Sequence, residues 1–533
     1  MADVGASDSL RNRWPRPSVG AIALGIMLLI AIPILLGARS GPRWFVGDDW
    51  GMLVNRSFGH PSDLLRPHNG HWSTVPIVLY QTIYAAVGLD HFVLYQLMAV
   101  LAHLTTVALV WLLIRRLGVG QVLTFAVVAP LVLMGSMTTN LTAPIAVSQV
   151  ASIAFGLVYL LITDHDGGLD RRDVAGMLMG VLSLASSAMG LIVVPTIGVF
   201  LLLRRGSWRV AATHVGVLAS VYLLWQLGYG VSAERTYSSS VIGHWVWQGI
   251  SAAFSRPTGS DIAGLLLALA TAAGLVLMAT RRGWSEFRSN RAMVPALLFG
   301  ALLNPAAIAT GRWWLGDSGA SSDRYVYVSV VFLLPVIALA LNEFRFSVRW
   351  LPYALVLPLI VGIPDNLSAL NERPAISFAK KSLYLGAVHD PLADLVRPDV
   401  VLNPNVLVGR EVTIGWLLEE WRDGKLPDPP PLSADDRDTI EMRLSVSQRS
   451  EATVTTTCET ATGPIDLDLV EGEVVQITNT VTLTRLEGGQ VAGTPVLYYL
   501  NAVWAPQDRL VVEVPAISIR VEAESDQPLT LCR

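Results

Sequence analysis

Long apolar runs separated by short polar segments fill most of the chain, and the pattern changes towards its end. Apolar runs of roughly 20 residues recur from Ala21 to about Ile363, and after Pro364 they stop. A helix of about 20 residues crosses the ~30 Å hydrocarbon core of a bilayer, because each residue adds about 1.5 Å. The pattern predicts an all-α, polytopic membrane domain over 1–364, followed by a polar C-terminal part.

Arginine clusters between the apolar runs predict the orientation of the spans, because cytoplasmic loops carry an excess of Lys and Arg. The clusters lie at 11–16, 115–116, 171–172, 204–209, 281–291 and 345–349. Placing all of them in the cytoplasm requires about eleven spans, near 19–38, 92–113, 120–136, 144–162, 174–190, 191–203, 210–229, 262–280, 292–311, 325–342 and 351–363. The cluster at 11–16 puts the N-terminus inside, and an odd number of spans then puts everything after Pro364 outside. Removing the pair 174–190 and 191–203, which requires a tight turn at Met189–Gly190, leaves that parity unchanged.

The amino-acid composition is also that of a membrane protein, and it indicates the kind of organism and membrane. The chain is 52% hydrophobic and 15% charged, whereas soluble domains carry about 25% charged residues. A net charge of −4 without any basic stretch argues against nucleic-acid binding. The first run, Val19–Leu36, is long and is not followed by a signal-peptide cleavage site, so we expect a retained span. Scarce Lys and abundant Ala, Val, Leu and Gly indicate a GC-rich bacterium, and hence a multi-pass protein of the bacterial cell (inner) membrane.

The first outer loop holds an acidic pair, Asp48-Asp49, near the membrane surface. In the predicted topology the outer loops run over Gly41–His91, Gly230–Asp261 and Gly311–Arg324. Asp49 is expected to cap a helix that begins at Trp50, because a carboxylate accepts the free N–H groups of a first turn. Adjacent side chains point in different directions, so Asp48 would then face a cavity. The alternative is a capped, solvated turn without a chemical role.

The same loop then brings together His68, Asn69, His71 and Trp72 within one short stretch. These side chains are of the kinds that hold hydroxyl-rich ligands and phosphates. The alternative is that they lie at the headgroup level, where aromatic residues collect in any membrane protein. The segment Val75–Tyr84 follows and predicts an amphipathic helix at the interface, with Tyr80 and Tyr84 four residues apart.

The order of these elements resembles the start of the GT-C superfamily, multi-span glycosyltransferases that take sugars from polyprenyl-phosphate carriers. The resemblance covers about residues 19–116: a span, an outer loop with an acidic pair, an interfacial helix, a second span and then Arg-Arg. It implies a GT-C-like membrane domain in which Asp48 or Asp49 is the catalytic base. The Arg-Tyr pair Arg324-Tyr325, at the outer end of a late span, resembles the place where such enzymes hold the carrier phosphate. Arg312, at the other end of that loop, is a second candidate.

With these roles the chain would be an inverting glycosyltransferase. A carboxylate takes the proton of the acceptor hydroxyl, and a cation or imidazole stabilises the departing phosphate. We expect Asp48, and after it Asp49, as the base; Arg324, His68, His71 and Arg312 would bind the donor phosphate. The expected substrate contacts are Trp50, Asn69, Trp72 and Tyr325.

The expected partners are a polyprenyl-phosphate sugar donor, an envelope glycan or glycolipid acceptor, and the lipid bilayer. No cofactor is expected, because two carboxylates alone make a poor divalent-metal site. The sequence has no G-x-x-x-x-G-K-[S/T] phosphate loop, so soluble nucleotide sugars are not expected as direct donors.

The polar C-terminal part divides into two predicted regions. Residues 365–439 form a mixed linker region with a helix over Asn405–Arg422 and a stiff proline segment at Asp428–Pro431. Residues 440–533 contain short β-branched, alternating runs that predict an extracytoplasmic β-sandwich. Both cysteines lie in this region, so in an oxidising compartment we expect a Cys458–Cys532 disulfide. The sandwich would bind carbohydrate or serve as a structural lid.

Two other functions compete with a glycosyltransferase. A transporter or flippase for an envelope glycolipid would place ionisable residues and broken helices at mid-membrane and often shows internal repeats. Here the predicted spans hold few charges and the polar clusters lie at the outer surface. A non-catalytic envelope scaffold with a polymer-binding domain is the third possibility.

Overall fold

The computed structural model describes residues 18–39, 44–45, 47–230, 241–283, 291–372, 377–402, 412–449, 458–477, 480–498, 509–524 and 529–532. Long apolar helices fill the first part of the chain and β-strands the last. The fold class predicted from the sequence, an all-α membrane domain followed by a β-sandwich, is confirmed. The cytoplasmic cluster predicted at Arg11–Arg16 lies outside the described residues.

The helical domain begins with a span and a loop of short helices and continues with closely packed longer helices. In chain order the helices are α1 Val19–Leu36, α2 Trp50–Leu53, α3 Pro61–Leu65, α4 Thr74–Val87, α5 Phe92–Arg116, α6 Gln121–Val132, α7 Thr138–Thr142, α8 Val147–Thr163, α9 Arg171–Leu184, α10 Gly190–Arg205, α11 Trp208–Tyr229, α12 Ile242–Thr258, α13 Asp261–Arg282, α14 Met293–Arg312, α15 Gly316–Ala320, α16 Asp323–Glu343, α17 Leu351–Leu355, α18 Leu357–Val361 and α19 Ile363–Glu372. Short 3₁₀ turns lie at Gly47–Asp49, Gly135–Met137, Pro144–Ala146, Trp313–Leu315 and Phe344–Phe346.

Eight helical segments of the described residues are long and apolar enough to cross a membrane. One of them joins the turn Pro144–Ala146 to α8, and another joins α17, α18 and α19. The count rises to nine if the bent pair Gln121–Val132 and Gly135–Thr142 forms one span. Every predicted span coincides with a helical segment, but α9 and α10 have only 14 and 16 residues. Because a full crossing needs about 20 residues, the predicted count of eleven is not confirmed. The last candidate span runs over Leu351–Glu372, beyond its predicted end at 363.

One end of the helical domain is closed by buried ion pairs, and we call it the arginine end. Arg205, at the end of α10, lies 2.7 Å from Asp173 near the start of α9. Glu343, at the end of α16, is fully buried and pairs with Arg282 at 3.2 Å and Arg291 at 3.3 Å. The predicted cytoplasmic clusters at 204–209 and 281–291 therefore supply the cations of these ion pairs. That they face the cytoplasm stays a prediction.

The opposite end carries the first outer loop, and we call it the loop end. Val75, in the first turn of α4, donates its backbone N–H to the carbonyl of Ala185, just beyond α9, at 2.9 Å. The Trp225 indole, near the end of α11, donates to the carbonyl of Leu65 at 2.8 Å. The first outer loop thus packs on the helix ends furthest from the buried ion pairs. The helix α16 runs between the two ends with its apolar core segment wholly buried, so Arg324 and Tyr325 lie at the loop end.

The region after the last span is helical before it becomes a sheet. It contains α20 Ser377–Ala387, α21 Ile414–Arg422 and α22 Ala434–Ser445. The predicted helix over Asn405–Arg422 begins at Ile414 in the structure, where the Thr413 side chain caps it; residues 403–411 lie outside the described part. The stretch Met442–Ser445, which alternates like a strand, ends α22 instead. A capping box of Ser433 and Asp436 starts that helix, and it continues through the alternating residues.

The final module is a sandwich of two antiparallel sheets. Its strands are β1 Val446–Arg449, β2 Cys458–Ala461, β3 Ile465–Val470, β4 Val474–Ile477, β5 Val481–Glu487, β6 Gln490–Val491, β7 Val496–Tyr498, β8 Arg509–Val512, β9 Ala516–Ala523 and β10 Leu529–Cys532. One sheet has the order β1-β8-β4-β10-β2, and the other has the order β3-β9-β5-β6 with β7 also on β5. Inward-facing residues of both sheets form one core. Cys458 and Cys532 are directly opposite on β2 and β10 and form the predicted disulfide.

Candidate functional site

A tight hairpin organises the His68–His71 stretch. His68 donates its backbone N–H to the carbonyl of His71 at 3.0 Å, and His71 returns the bond at 2.9 Å. The two central residues, Asn69 and Gly70, both have positive φ, at 50° and 73°. This is the backbone of a two-residue type I′ turn, for which Asn-Gly is the preferred sequence. The Asn-Gly dipeptide at 69–70 is therefore sufficient to predict this turn from the sequence.

The hairpin places an amide against the first acid of the pair. Asn69 donates its Nδ2 hydrogen to Oδ1 of Asp48 at 2.9 Å. The same nitrogen lies 3.2 Å from Nε2 of His68. Asp48 is half-buried in the 3₁₀ turn Gly47–Asp49, which we call the acidic turn. Three of the predicted site residues are thus brought together: Asp48, His68 and Asn69.

His68 is the buried member of this group. Burial lowers the pKa of His68 to about 4, while the Asp48 carboxylate opposes that shift and the Arg56 guanidinium adds to it. The imidazole is therefore neutral at neutral pH. It would meet a phosphate or a sugar hydroxyl as a hydrogen-bonding group and not as a cation.

The second acid points inward and has a different partner. Asp49 is fully buried and accepts a hydrogen bond from the Tyr80 hydroxyl of α4 at 2.5 Å. Burial, with the Asp49 charge and hydrogen bond, raises the pKa of Tyr80 well above its usual range. A helix does start at Trp50, but Asp49 makes no side-chain cap bond to it. The expected cap is wrong because Asp49 is turned towards Tyr80.

Arg56 holds the loop together and was not singled out from the sequence. Its guanidinium donates to four backbone carbonyls: Gly51 at 3.1 Å, Asp63 at 2.5 Å, Arg66 at 2.6 Å and Pro67 at 3.0 Å. Arginine is well suited to this because its planar fork presents five donors. An arginine in a loop predicted to face outside runs against the positive-inside trend, and this exception was a signal for a structural or functional role.

The two predicted tryptophans are built into the scaffold. Trp50 is 1% exposed, and its ring lies 5.3 Å from Tyr384 and 6.1 Å from Trp416. Trp72 stacks on Trp225 with ring centroids 5.4 Å apart and planes at 6°. Both indoles therefore pack against other elements, Trp50 against the C-terminal part and Trp72 against α11.

A second group of predicted residues gathers where α14 ends and α16 begins, at the loop end. The guanidinium carbons of Arg324 and Arg312 lie 4.9 Å and 5.9 Å from the centre of the Tyr325 ring. We call these three residues the Arg–Tyr cluster. Within the part of the chain that the structure describes, neither guanidinium has a hydrogen bond or a carboxylate partner. Two unneutralised cations on one ring make an anion-binding site chemically reasonable.

Behind the Arg–Tyr cluster lie two buried polar atoms that lack partners. The Tyr325 hydroxyl and the Asn304 Oδ1 atom have no hydrogen bond in the described structure. Both residues line a narrow cavity between α12, α14 and α16, together with Trp245 and Ser329. Asn304 is held there because its Nδ2 donates to the Tyr325 carbonyl at 2.9 Å and to Ser329 at 3.0 Å. Such orphan groups are costly unless a ligand or water satisfies them.

One short segment, residues 138–146, joins the two groups. At its start, Thr139 and Asn140 donate to the Asp323 carboxylate and carbonyl at 3.3 and 3.1 Å, next to Arg324. At its end, the turn Pro144–Ala146 contacts the acidic turn. Asp48 and Arg324 therefore lie at the same end of the helical domain, as expected from the sequence, with this segment between them.

Among the described residues, one group brings histidine and carboxylate ligand atoms close enough for a metal: His165, Asp170 and Asp173. It lies at the arginine end, away from the acidic turn. The Arg205 guanidinium donates to His165 at 2.8 Å and to Asp173 at 2.7 Å. A cation already fills the middle of this group, so it is better described as an ion-pair network.

No protein-family model matches the chain, and no curated protein matches it. Among solved structures, the chain is similar to ArnT from Cupriavidus metallidurans, crystallised in the apo state. The alignment covers 81% of this chain and 93% of that chain, with 12% sequence identity and a TM-score of 0.46.

Proposed function

We propose that this chain is a GT-C-type glycosyltransferase that moves a sugar from a polyprenyl-phosphate donor to a cell-envelope acceptor at the loop end. The observation that supports this most strongly is the placement of a half-exposed carboxylate and two unneutralised arginines at one end of the helical domain. The amide of Asn69 holds Asp48, and Arg324 and Arg312 flank Tyr325. A carrier lipid would keep its chain in the bilayer and raise its phosphate to this surface.

Asp48 is the proposed base, because Asp49 is fully buried and bonded to Tyr80. In a single inverting step, the acceptor oxygen forms a bond to the anomeric carbon and passes its proton to Asp48. The bond between the anomeric carbon and the phosphate oxygen breaks, and its electron pair leaves with the polyprenyl phosphate. This displacement uses no metal.

The phosphate would lie in the Arg–Tyr cluster. The negative charge on the leaving group grows during the reaction, so permanent cations at that position favour the transition state over the ground state. Arg324 is the first candidate and Arg312 the second. The neutral His68, with His71 and Asn69 on the same hairpin, would contact sugar hydroxyls or phosphate oxygens by hydrogen bonds.

The experiment is to replace Asp48 by Asn in the full-length protein reconstituted in lipid nanodiscs. Transfer from a polyprenyl-phosphate sugar to an envelope glycolipid should fall ~10²-fold or more, because the proton acceptor is lost while the shape is kept. The matched control is Asp63→Asn, in the same loop, which should transfer normally. Wild-type turnover by Asp48→Asn would refute the assignment. The absence of transfer by the wild type with any polyprenyl-phosphate sugar would favour a transporter or a scaffold.

A further inference from the structure

Helix α4 connects the acidic pair to the C-terminal part of the chain through two tyrosines one turn apart. Residues four apart lie on the same face of a helix. Tyr80 donates its hydroxyl to Asp49, and Tyr84 donates its hydroxyl to Glu420, at the end of α21. The two hydroxyls therefore donate hydrogen bonds to two carboxylates that are distant in sequence. One belongs to the first outer loop, and the other lies more than 300 residues further along the chain.

The Glu420 carboxylate, which accepts the Tyr84 hydroxyl, lies in a largely buried environment. Glu420 is 9% exposed, and Lys425 lies 3.2 Å from its carboxylate and 5.2 Å from the centre of the Tyr84 ring. Burial, with the hydrogen bond and charge of Glu420, raises the pKa of Tyr84 well above its usual range. The carbonyl of Lys425 also accepts the backbone N–H of Leu89 at 2.8 Å, just beyond α4. We call residues 414–425 the clasp.

The clasp also reaches the acidic turn from the other side. Trp416 in the clasp lies 6.1 Å from Trp50, the residue that follows Asp49. Tyr384 of α20 lies 5.3 Å from Trp50 and 6.0 Å from Trp44, on either side of the acidic turn in sequence. These rings form one buried core with residues of α4 and α5. The acidic turn is therefore held between α4 and the C-terminal part.

We propose that the clasp positions the acidic pair, with Glu420 as a positioning residue that acts through Tyr84 and α4. This rests on the proposed function, in which Asp48 is the base. Tyr80 and Tyr84 move together because one rigid turn separates them. Freeing Tyr84 from Glu420 would let α4 shift, and Tyr80 would carry Asp49 and its neighbour Asp48 with it. Displacing a reacting group by about 1 Å can cost 10²-fold in rate.

The test uses the full-length protein in nanodiscs with Tyr84→Phe, Glu420→Ala and the double variant. Each single variant should lower kcat about tenfold with little change in KM, because substrate contacts are untouched. The double variant should lose no more than the worse single one, since both remove the same bond. Glu420→Gln keeps an acceptor for the Tyr84 hydroxyl and should retain most of the activity. The matched control is Arg422→Ala, on the same helix, whose side chain pairs with Asp394 at the surface.

A second readout does not depend on the reaction. Amide hydrogen exchange of peptides covering 47–53 should accelerate in Tyr84→Phe and Glu420→Ala, and not in Arg422→Ala. If exchange accelerates but no variant or wild type transfers sugar, the clasp stands and the proposed function fails. If the wild type transfers sugar and Glu420→Ala leaves both kcat and exchange unchanged, the clasp is wrong. Additive losses in the double variant would also overturn it.

Discussion

Two adjacent carboxylates, Asp48 and Asp49, have different environments in this protein, and the difference supports Asp48 as the proposed base. Asp48 is half-buried and accepts from the side-chain amide of Asn69, which leaves it room to receive a proton. Asp49 is fully buried and accepts from Tyr80. From the sequence, Asp49 was expected to have a structural role as the cap of the helix that begins at Trp50. The actual partner lies 31 residues later on another element, and pairing over that distance depends on tertiary packing.

At the same scale, we predict that Arg324 cannot be replaced by Lys without loss. Lys keeps the positive charge but loses the forked donor set that matches phosphate oxygens. Arg324→Lys should therefore transfer sugar partially, and Arg324→Ala should show both weaker donor binding and slower turnover. Transfer measured against donor concentration separates the two effects. If Arg324→Ala has wild-type kinetics, Arg312 or His68 becomes the better phosphate ligand.

His68 makes stability depend on pH. Its pKa is about 4 in the folded protein and near 6.5 when unfolded, so the unfolded chain binds more protons between these values. Stability from the neutral, buried imidazole is fully present above pH 6.5 and is lost as the pH falls towards 4, by on the order of 3 kcal/mol. Relative to His68→Gln, the wild type should lose thermal stability in detergent over this window. Parallel pH curves for the two proteins would contradict the prediction.

At the scale of elements, the helices and strands that could be predicted were those with apolar runs of sufficient length and a clear hydrophobic pattern. Apolar runs of about 20 residues became helices because a bilayer crossing demands that length, and all of the predicted spans coincide with helical segments. The predicted pair of spans at 174–190 and 191–203 corresponds to α9 and α10, which have only 14 and 16 residues. The alternating run Met442–Ser447 was predicted to be a strand, but the strand begins only at Val446, because the helix that the capping box starts at Ser433 continues to Ser445. The Asn-Gly turn, in contrast, was predictable and was overlooked.

The cross-strand disulfide should stabilise the sandwich as an element. Cys458 and Cys532 are separated by 74 residues, so the bond removes much of the chain entropy of the unfolded module. Replacing both by Ser should lower the unfolding free energy of the module by roughly 2–4 kcal/mol. Limited proteolysis of the full-length protein should then cut the sandwich faster than the wild type, with reducing agent making the two equal. Non-reducing mass spectrometry should find the bond in native protein, and two free thiols would refute it.

At the scale of the whole molecule, the C-terminal part packs against the helical domain in addition to being joined to its last span. Arg449, at the end of β1, pairs with Asp399 at 2.7 Å and with Glu513 at 2.7 Å, which links the region after α20 to the sandwich. The region containing Tyr384 and Trp416 in turn packs on Trp50. Composition predicted a separate polar part, but it could not predict this docking, because the contacts join residues that are hundreds of positions apart.

Orientation belongs to this scale too. Because the arginine clusters gather at the end opposite the first outer loop, a cytoplasmic arginine end places the loop end and the sandwich outside. A reporter enzyme fused after Arg533 should be active only in its extracytoplasmic form. A reporter fused in the loop 164–170, at the arginine end, is the matched opposite case and should be active in the cytoplasm. Cytoplasmic activity of the Arg533 fusion would overturn both the orientation and the side of the proposed reaction.

The Asn-Gly turn beside Asp48 has a consequence for the lifetime of the protein. An exposed Asn followed by Gly is a thermolabile pair. Hydrolysis of the Asn69 side-chain amide, which consumes water and releases ammonia, would leave a carboxylate at this position. The donor that now holds Asp48 at 2.9 Å would become a second acid facing it. Two carboxylates side by side repel each other, so Asp48 would lose the hydrogen bond that now positions it. A stored sample would therefore lose the activity proposed for Asp48 as Asn69 deamidates, while its fold stayed intact.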